Sequence, residues 1–103
     1  MTRKIEKIRL STDRESLMFY CPGCGHHHAV RVEGDGPGPV WGWNGSEELP
    51  TLSPSVLVYL PNPDGSRGRT ECHLWVKEGR IQYLKDSAHH LAGQTIDMED
   101  IDA

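Results

Sequence analysis

Apolar positions along this chain fall in short runs of strand length, separated by turn residues. Ser16-Leu17-Met18-Phe19-Tyr20 and His28-Ala29-Val30-Arg31-Val32 flank Cys21-Pro22-Gly23-Cys24-Gly25, which reads as a hairpin with the cysteine turn at its tip. Ile5, Ile8 and Leu10, interleaved with Arg3, Lys4, Lys7 and Arg9, suggest an edge strand. Val40-Trp41-Gly42-Trp43 is a short aromatic strand ended by Asn44-Gly45, and Val56-Leu57-Val58-Tyr59-Leu60 is the most strongly marked strand of all. Between them, the prolines of Leu49–Ser55 exclude a helix. A second hairpin joins Cys72–Lys77 to Arg80–Leu84 through Glu78-Gly79. With a two-residue loop, Val76 faces Ile81 and Leu74 faces Tyr83, so Cys72 shares their face while His73 and Trp75 take the other. Asp86–Gly93 is a turn or short helix that Asp86 or Ser87 would cap. The expected class is therefore mainly β, built of antiparallel hairpins with a zinc-ribbon-like knuckle, with a small α+β arrangement as the alternative.

At 103 residues the chain suits one core, and we expect a single metal-stabilised domain over residues 1–96 followed by a loosely held acidic tail over 97–103. Eleven glycines and seven prolines make it rich in turns, and Gly34–Pro39 is a loop without the spacing of a phosphate cradle. Eleven Lys and Arg against fifteen Asp and Glu give a net charge of −4, which argues against a general grip on polyanions or anionic membranes. No apolar run approaches a membrane span, and the first residues lack a signal-peptide pattern, so a cytoplasmic protein is expected. Three cysteines cannot form a full disulfide framework, which favours metal ligation in a reducing compartment.

Cys21-Pro22-Gly23-Cys24-Gly25 carries the most specific chemical signal. Two thiolates on one tetrahedral zinc lie about 3.7 Å apart, given Zn–S bonds of about 2.3 Å, and a tight turn with two intervening residues supplies both. A redox dithiol would need a helix start in an α/β pattern, which is absent. Cys72 is the expected third ligand. For the fourth, His26, His27 and His28 lie close to the knuckle and read as an exposed polar turn. His73 would have to share an ion with its strand neighbour Cys72, against the alternation of a strand. His89 meets no such conflict, and Asp86 could orient its ring. The expected zinc set is Cys21, Cys24, Cys72 and His89, with His73 as substitute. Trp41, Trp43, Thr51 and Ser53 form a rigid, amphipathic cluster suited either to packing or to a partner face. Ser53 and Ser55 have no base at a recognised spacing, so a nucleophilic serine is not expected.

The blocks Cys21-Pro22-Gly23-Cys24, Trp43-Asn44-Gly45-Ser46, Pro50-Thr51-Leu52-Ser53-Pro54-Ser55, Cys72-His73 and Asp86–Thr95 together resemble a family of small phage and prophage proteins often labelled ammonia monooxygenase. The resemblance spans roughly residues 17–98. That label itself has no support here, since such an enzyme is membrane-embedded and copper-dependent. Relatives often carry Cys where this chain has Ser87, which leaves His89 or His73 to complete the site. On this reading the chain is a small zinc-binding protein with a structural ion, acting as a module for a protein partner. A zinc hydrolase or deaminase and a nucleic-acid-binding ribbon are the alternatives; an enzyme is the less expected outcome.

Overall fold

The computed structural model describes residues 5–34, 36 and 38–102. Arg3 and Lys4 of the expected edge strand, Asp35 and Pro37 of the expected loop, and Ala103 lie outside them. Among the described residues there is no helix: nine strands form three antiparallel sheets, in keeping with the mainly β expectation. β1 (Arg9–Leu10), β2 (Ser16–Cys21) and β3 (His26–Arg31) make the first sheet in that order. β4 (Gly42–Trp43) and β5 (Leu52–Ser53) make a short ribbon, and β6 (Val56–Pro61), β7 (Arg67–Lys77), β8 (Arg80–Tyr83) and β9 (Thr95–Asp97) make the third sheet. The segment 86–93 is a series of turns, so the helical option falls away.

The period-two pattern decides what is buried. On β2, Leu17, Phe19 and Cys21 are buried, and on β7, Cys72, Leu74 and Val76 are buried while His73 and Trp75 keep partial exposure on the opposite face. These inward residues meet Ile8, Val30, Leu52, Val56, Ile81, Tyr83 and Met98 in one core. His26–His28 open β3 instead of forming an exposed turn, and His28 is buried edge-on against Phe19. At the other end, where a loose acidic tail is expected, Met98 and Ile101 are buried and the Ile101 amide donates to the Glu6 carbonyl at 2.8 Å. Asp102 and Glu6 also pair with Arg9. Two apolar side chains, Met98 and Ile101, outweigh the surrounding acids there.

The β7–β8 turn joins several distant segments. Lys77 pairs with Arg80, and Glu78 and Gly79 both take positive φ (47° and 79°), the backbone of a two-residue primed hairpin turn. Val76 then faces Ile81 and Leu74 faces Tyr83. The Glu78 amide donates to Thr51 Oγ1 at 2.9 Å, the Gly79 amide donates to the Pro50 carbonyl at 2.9 Å, and the Gly79 carbonyl accepts from the Met98 amide at 3.0 Å. A Cβ on Gly79 would lie 3.0 Å from Leu49 Cδ2 and 3.2 Å from the Glu48 carbonyl oxygen.

β6 pairs only with β7, through Val56↔Leu74, Leu57↔His73 and Val58↔Cys72, before its register shifts at Tyr59. Ser55 immediately precedes this paired stretch, and the Trp41 indole N–H donates to its carbonyl at 3.2 Å. Ile81 lies at the centre of the sheet between Val76 and Ile96 and is fully buried. Ile81→Ala is expected to destabilise the fold by about 2–5 kcal/mol, read as a lower denaturant midpoint at unchanged slope.

Candidate active site and metal centre

Cys21 ends β2, and the turn that follows is closed by the Gly25 amide donating to the Cys21 carbonyl at 2.8 Å. This turn carries Cys24 back toward the core, where Cys72 points inward from β7 and His89 arrives from the 84–93 turns. The Sγ atoms of the three cysteines and one ring nitrogen of His89 all lie within 4.8 Å of one another. Cys21 Sγ and Cys72 Sγ are 3.9 Å apart, and Cys72 Sγ is 3.3 Å from His89 Nε2. The cluster can hold a metal ion, and its thiolate-rich donor set suits a soft one. Gly23 makes the approach of His89 feasible, because a Cβ there would stand 2.3 Å from the imidazole Cε1.

Three thiols in one buried space do not ionise alike. Cys21 is held far below the usual thiol range, to about 3, first by the hydrogen bond from Cys72 and also by Tyr83, whose Oη is 3.1 Å away. Cys24 is pushed up to about 12, by burial first and then by the Cys21 charge. Cys72 is raised as the hydrogen-bond partner of that thiolate and by burial, while burial followed by Cys21 raises Tyr83. Tyr83 Oη also accepts from the Gly23 amide at 3.2 Å, and its ring stands edge-on to His89 with centroids 4.6 Å apart. The Leu91 amide donates to His89 Nδ1 at 3.2 Å, and Nε2 is the ring nitrogen that faces Cys72.

On the other face of β7 stands a second constellation. Ser55 Oγ is 3.1 Å from His73 Nε2, and His73 Nδ1 is 3.0 Å and 3.2 Å from the two carboxylate oxygens of Asp86. With the Nδ1 proton donated to Asp86, Nε2 is free to accept the Ser55 hydroxyl proton, the arrangement that makes a serine nucleophilic. Ser87 fixes the backbone of the base: its Oγ accepts from the His73 amide and donates to the His73 carbonyl, both at 3.0 Å. Four of the surface cavities, of roughly 230–710 Å³, are lined by residues other than Ser55, His73 and Asp86. Asp86 is more than half exposed, while Ser55 and His73 are half-buried.

The structure brings Cys21, Cys24, Cys72 and His89 together and leaves His73, the expected substitute, on the opposite side of the strand. Asp86 faces His73 and not His89. His26 hydrogen-bonds Glu71 at 2.8 Å, and with Cys24 these two form a smaller, more exposed cluster. Of the expected partner face, the Trp43 indole donates to the Ser46 carbonyl, Thr51 holds the β7–β8 turn, and Ser53 is exposed on β5. The expectation that Ser55 lacks a base is corrected by His73. The two are eighteen positions apart, and only the β6–β7 register makes them neighbours. The extended Pro50–Ser55 block and the His next to Cys72 were the available signals.

A family model described as bacterial ubiquitination-like system serine protease (BubE) matches residues 2–84. Ser55 and His73 fall inside the matched stretch, and Asp86 and His89 just beyond it. No curated protein and no solved structure matches the chain at a significant level. The match overturns the resemblance to phage proteins labelled ammonia monooxygenase. It also overturns the reading of the chain as a structural zinc module and of its hydrolysis, if any, as metal-borne, since a serine protease family points to an enzyme whose nucleophile is a side chain. Among the described residues no helix is long and apolar enough to cross a membrane.

Tyr83→Phe removes the hydroxyl that serves both Cys21 and Gly23. In metal-free protein it is expected to cost about 1.5–3 kcal/mol, the range for hydrogen bonds to charged groups. Losing a donor to the thiolate moves the Cys21 ionisation upward, so thiolate ultraviolet absorbance should appear at higher pH than in the parent chain.

Proposed function

The chain belongs to the BubE family, and on that premise we propose that it is a serine protease with Ser55 as nucleophile, His73 as general base and Asp86 as the carboxylate that orients the base. The observation that carries this reading is the continuous relay of 3.1 Å from Ser55 Oγ to His73 Nε2 and 3.0 Å from His73 Nδ1 to Asp86 Oδ2. The order Ser, His, Asp along the chain carries no weight against it, because such triads are recognised by geometry and role and occur in several chain orders. The family description sets such a protease within a bacterial ubiquitination-like system.

In this mechanism Ser55 Oγ attacks a peptide-type carbonyl carbon while its proton passes to His73 Nε2. The protonated ring, stabilised by Asp86, then delivers that proton to the leaving group as the acyl bond breaks. Water enters, gives a proton to the same nitrogen as its oxygen attacks the acyl carbon, and His73 returns that proton to Ser55 Oγ as the acyl–oxygen bond breaks. Asp86 is more than half exposed; its work is to fix the tautomer and the ring plane. The Trp41 indole bonded to the Ser55 carbonyl holds the nucleophile's backbone at the start of β6. Trp41 and Trp43 remain the surface we assign to contact with the polypeptide being cut.

Behind the triad, we assign the Cys21, Cys24, Cys72 and His89 cluster to zinc. Three sulfurs and one nitrogen complete a tetrahedral shell, and the 3.9 Å Cys21–Cys72 separation is close to the value of about 3.7 Å that Zn–S bonds imply. A closed shell leaves no position for water, so hydrolysis falls to the serine.

A fluorophosphonate probe should modify one serine, Ser55, found by peptide mapping, and Ser55→Ala should abolish the modification. Asp86→Asn should lower the labelling rate by about 10⁴-fold, as loss of the orienting carboxylate does in other triads, with the melting profile little changed. Labelling that survives in Ser55→Ala, or a His73→Ala variant as reactive as the parent, would sink this assignment.

A further inference from the structure

The two constellations share their backbone. Cys72 and His73 are neighbours on β7 and project to opposite faces; Asp86 and His89 lie three residues apart in the turns after β8. On one side of the sheet the pair Cys72 and His89 spans the two segments at 3.3 Å, and on the other the pair His73 and Asp86 spans them at 3.0 Å. Between these side-chain contacts the backbones are joined by short hydrogen bonds: the Leu84 amide to the His73 carbonyl at 2.8 Å, the Ala88 amide to the Glu71 carbonyl at 2.9 Å, and Ser87 Oγ with both polar groups of His73. The segment 84–89 is thus attached to Glu71–His73 at every level from one face to the other.

We propose that the ion held by Cys21, Cys24, Cys72 and His89 sets the activity of the triad, by fixing the distance between β7 and the 84–89 turn and so the alignment of Asp86 with His73. The proposal rests on the serine protease reading. Cys72 and His89 are positioning residues in this scheme, since neither touches the reacting atoms. In the metal-free chain, the side chains of Cys72 and His89 are linked by one thiol–imidazole contact, and the turn is otherwise held to the strand by the backbone and Ser87 hydrogen bonds. Coordinate bonds to a common ion would add a stiffer restraint to these, narrowing the small shifts of the turn that hydrogen bonds alone allow, and the neighbouring residues on each segment would follow. Asp86 is exposed, and its only side-chain hydrogen bonds among the described residues are those to His73, so nothing on its outer side compensates if the turn shifts. A triad is sensitive to such shifts: a misplacement of about 1 Å can cost on the order of 100-fold in rate.

The test uses the full chain loaded with one equivalent of Zn(II) or of Cd(II), whose larger radius lengthens every bond in the shell, and compares these with chelated protein. Two quantities are read in each state: the rate of Ser55 modification by the fluorophosphonate, and the nuclear magnetic resonance signal of the His73 ring proton shared with Asp86. Replacing zinc by cadmium should move that signal and slow labelling roughly tenfold or more while circular dichroism stays that of a folded chain. His89→Ala should reproduce the effect of chelation, and His89→Cys, which restores a fourth ligand, should recover metal binding and much of the lost signal. Ile81→Ala, a core variant whose side chain belongs to neither site, should lower stability without moving the His73 resonance. If the resonance and the rate are the same with zinc, with cadmium and in folded metal-free protein, the coupling is overturned. If the His73 signal responds to the ion but no form labels at Ser55, the coupling stands and the protease assignment fails; failure to bind either ion overturns the proposal outright.

Discussion

Side-chain alternation along β7 is the constraint from which both sites follow. One strand whose even positions, from Cys72 to Val76, are buried and whose odd positions, His73 and Trp75, are partly open presents a thiol to the core and an imidazole to the other face, one peptide apart. Neither residue can be moved to the partner's side without slipping the register of the whole strand, which would expose Leu74 and Val76 as well. The hydrophobic core therefore holds the chemistry in place: burying Leu74 beside Tyr83 and Val76 beside Ile81 is what obliges His73 to face Ser55 and Cys72 to face the knuckle.

Much of this was legible in the sequence, and the reasons are local. Glu78-Gly79 between two apolar runs fixes a hairpin and its register through turn chemistry alone, and from that register the opposite orientations of Cys72 and His73 follow. The spacing within Cys21-Pro22-Gly23-Cys24 likewise needs no tertiary information to suggest a pair of thiols sharing one centre. The triad was hidden because its members belong to three separate segments. Ser55 meets His73 only through the pairing of β6 with β7, which are joined by a connection whose length does not dictate register, and Asp86 reaches the ring only because the turns after β8 fold back on β7. In the sequence Asp86 reads as support for His89, three positions away; in an extended series of turns, unlike a helix, that spacing does not put two side chains on one side. The chain end misled for a different reason. Its acids suggested solvent, whereas burial is decided by Met98 and Ile101 between them.

The division of labour between the faces also makes electrostatic sense. On the inner side, burial lets a single thiolate, Cys21, gather the available donors while its neighbours keep their protons. On the outer side, the Asp86 carboxylate is more than half exposed to water, and the cost of burying one never arises. A protein this small has little apolar interior to spend on enclosing a charged cleft, and it builds its reactive group on the surface of the sheet.

Gly79 shows how far such economy constrains the sequence. One residue with φ of 79° turns the β7–β8 hairpin, receives the chain end through Met98 and holds the Pro50 segment that leads to the nucleophile. Any side chain there would strain the backbone and press on Leu49 and the Glu48 carbonyl at the same time. Evolution is left with one acceptable letter at a position that performs no chemistry, so among descendants of a common ancestor this glycine should drift as little as the serine and histidine it helps to align.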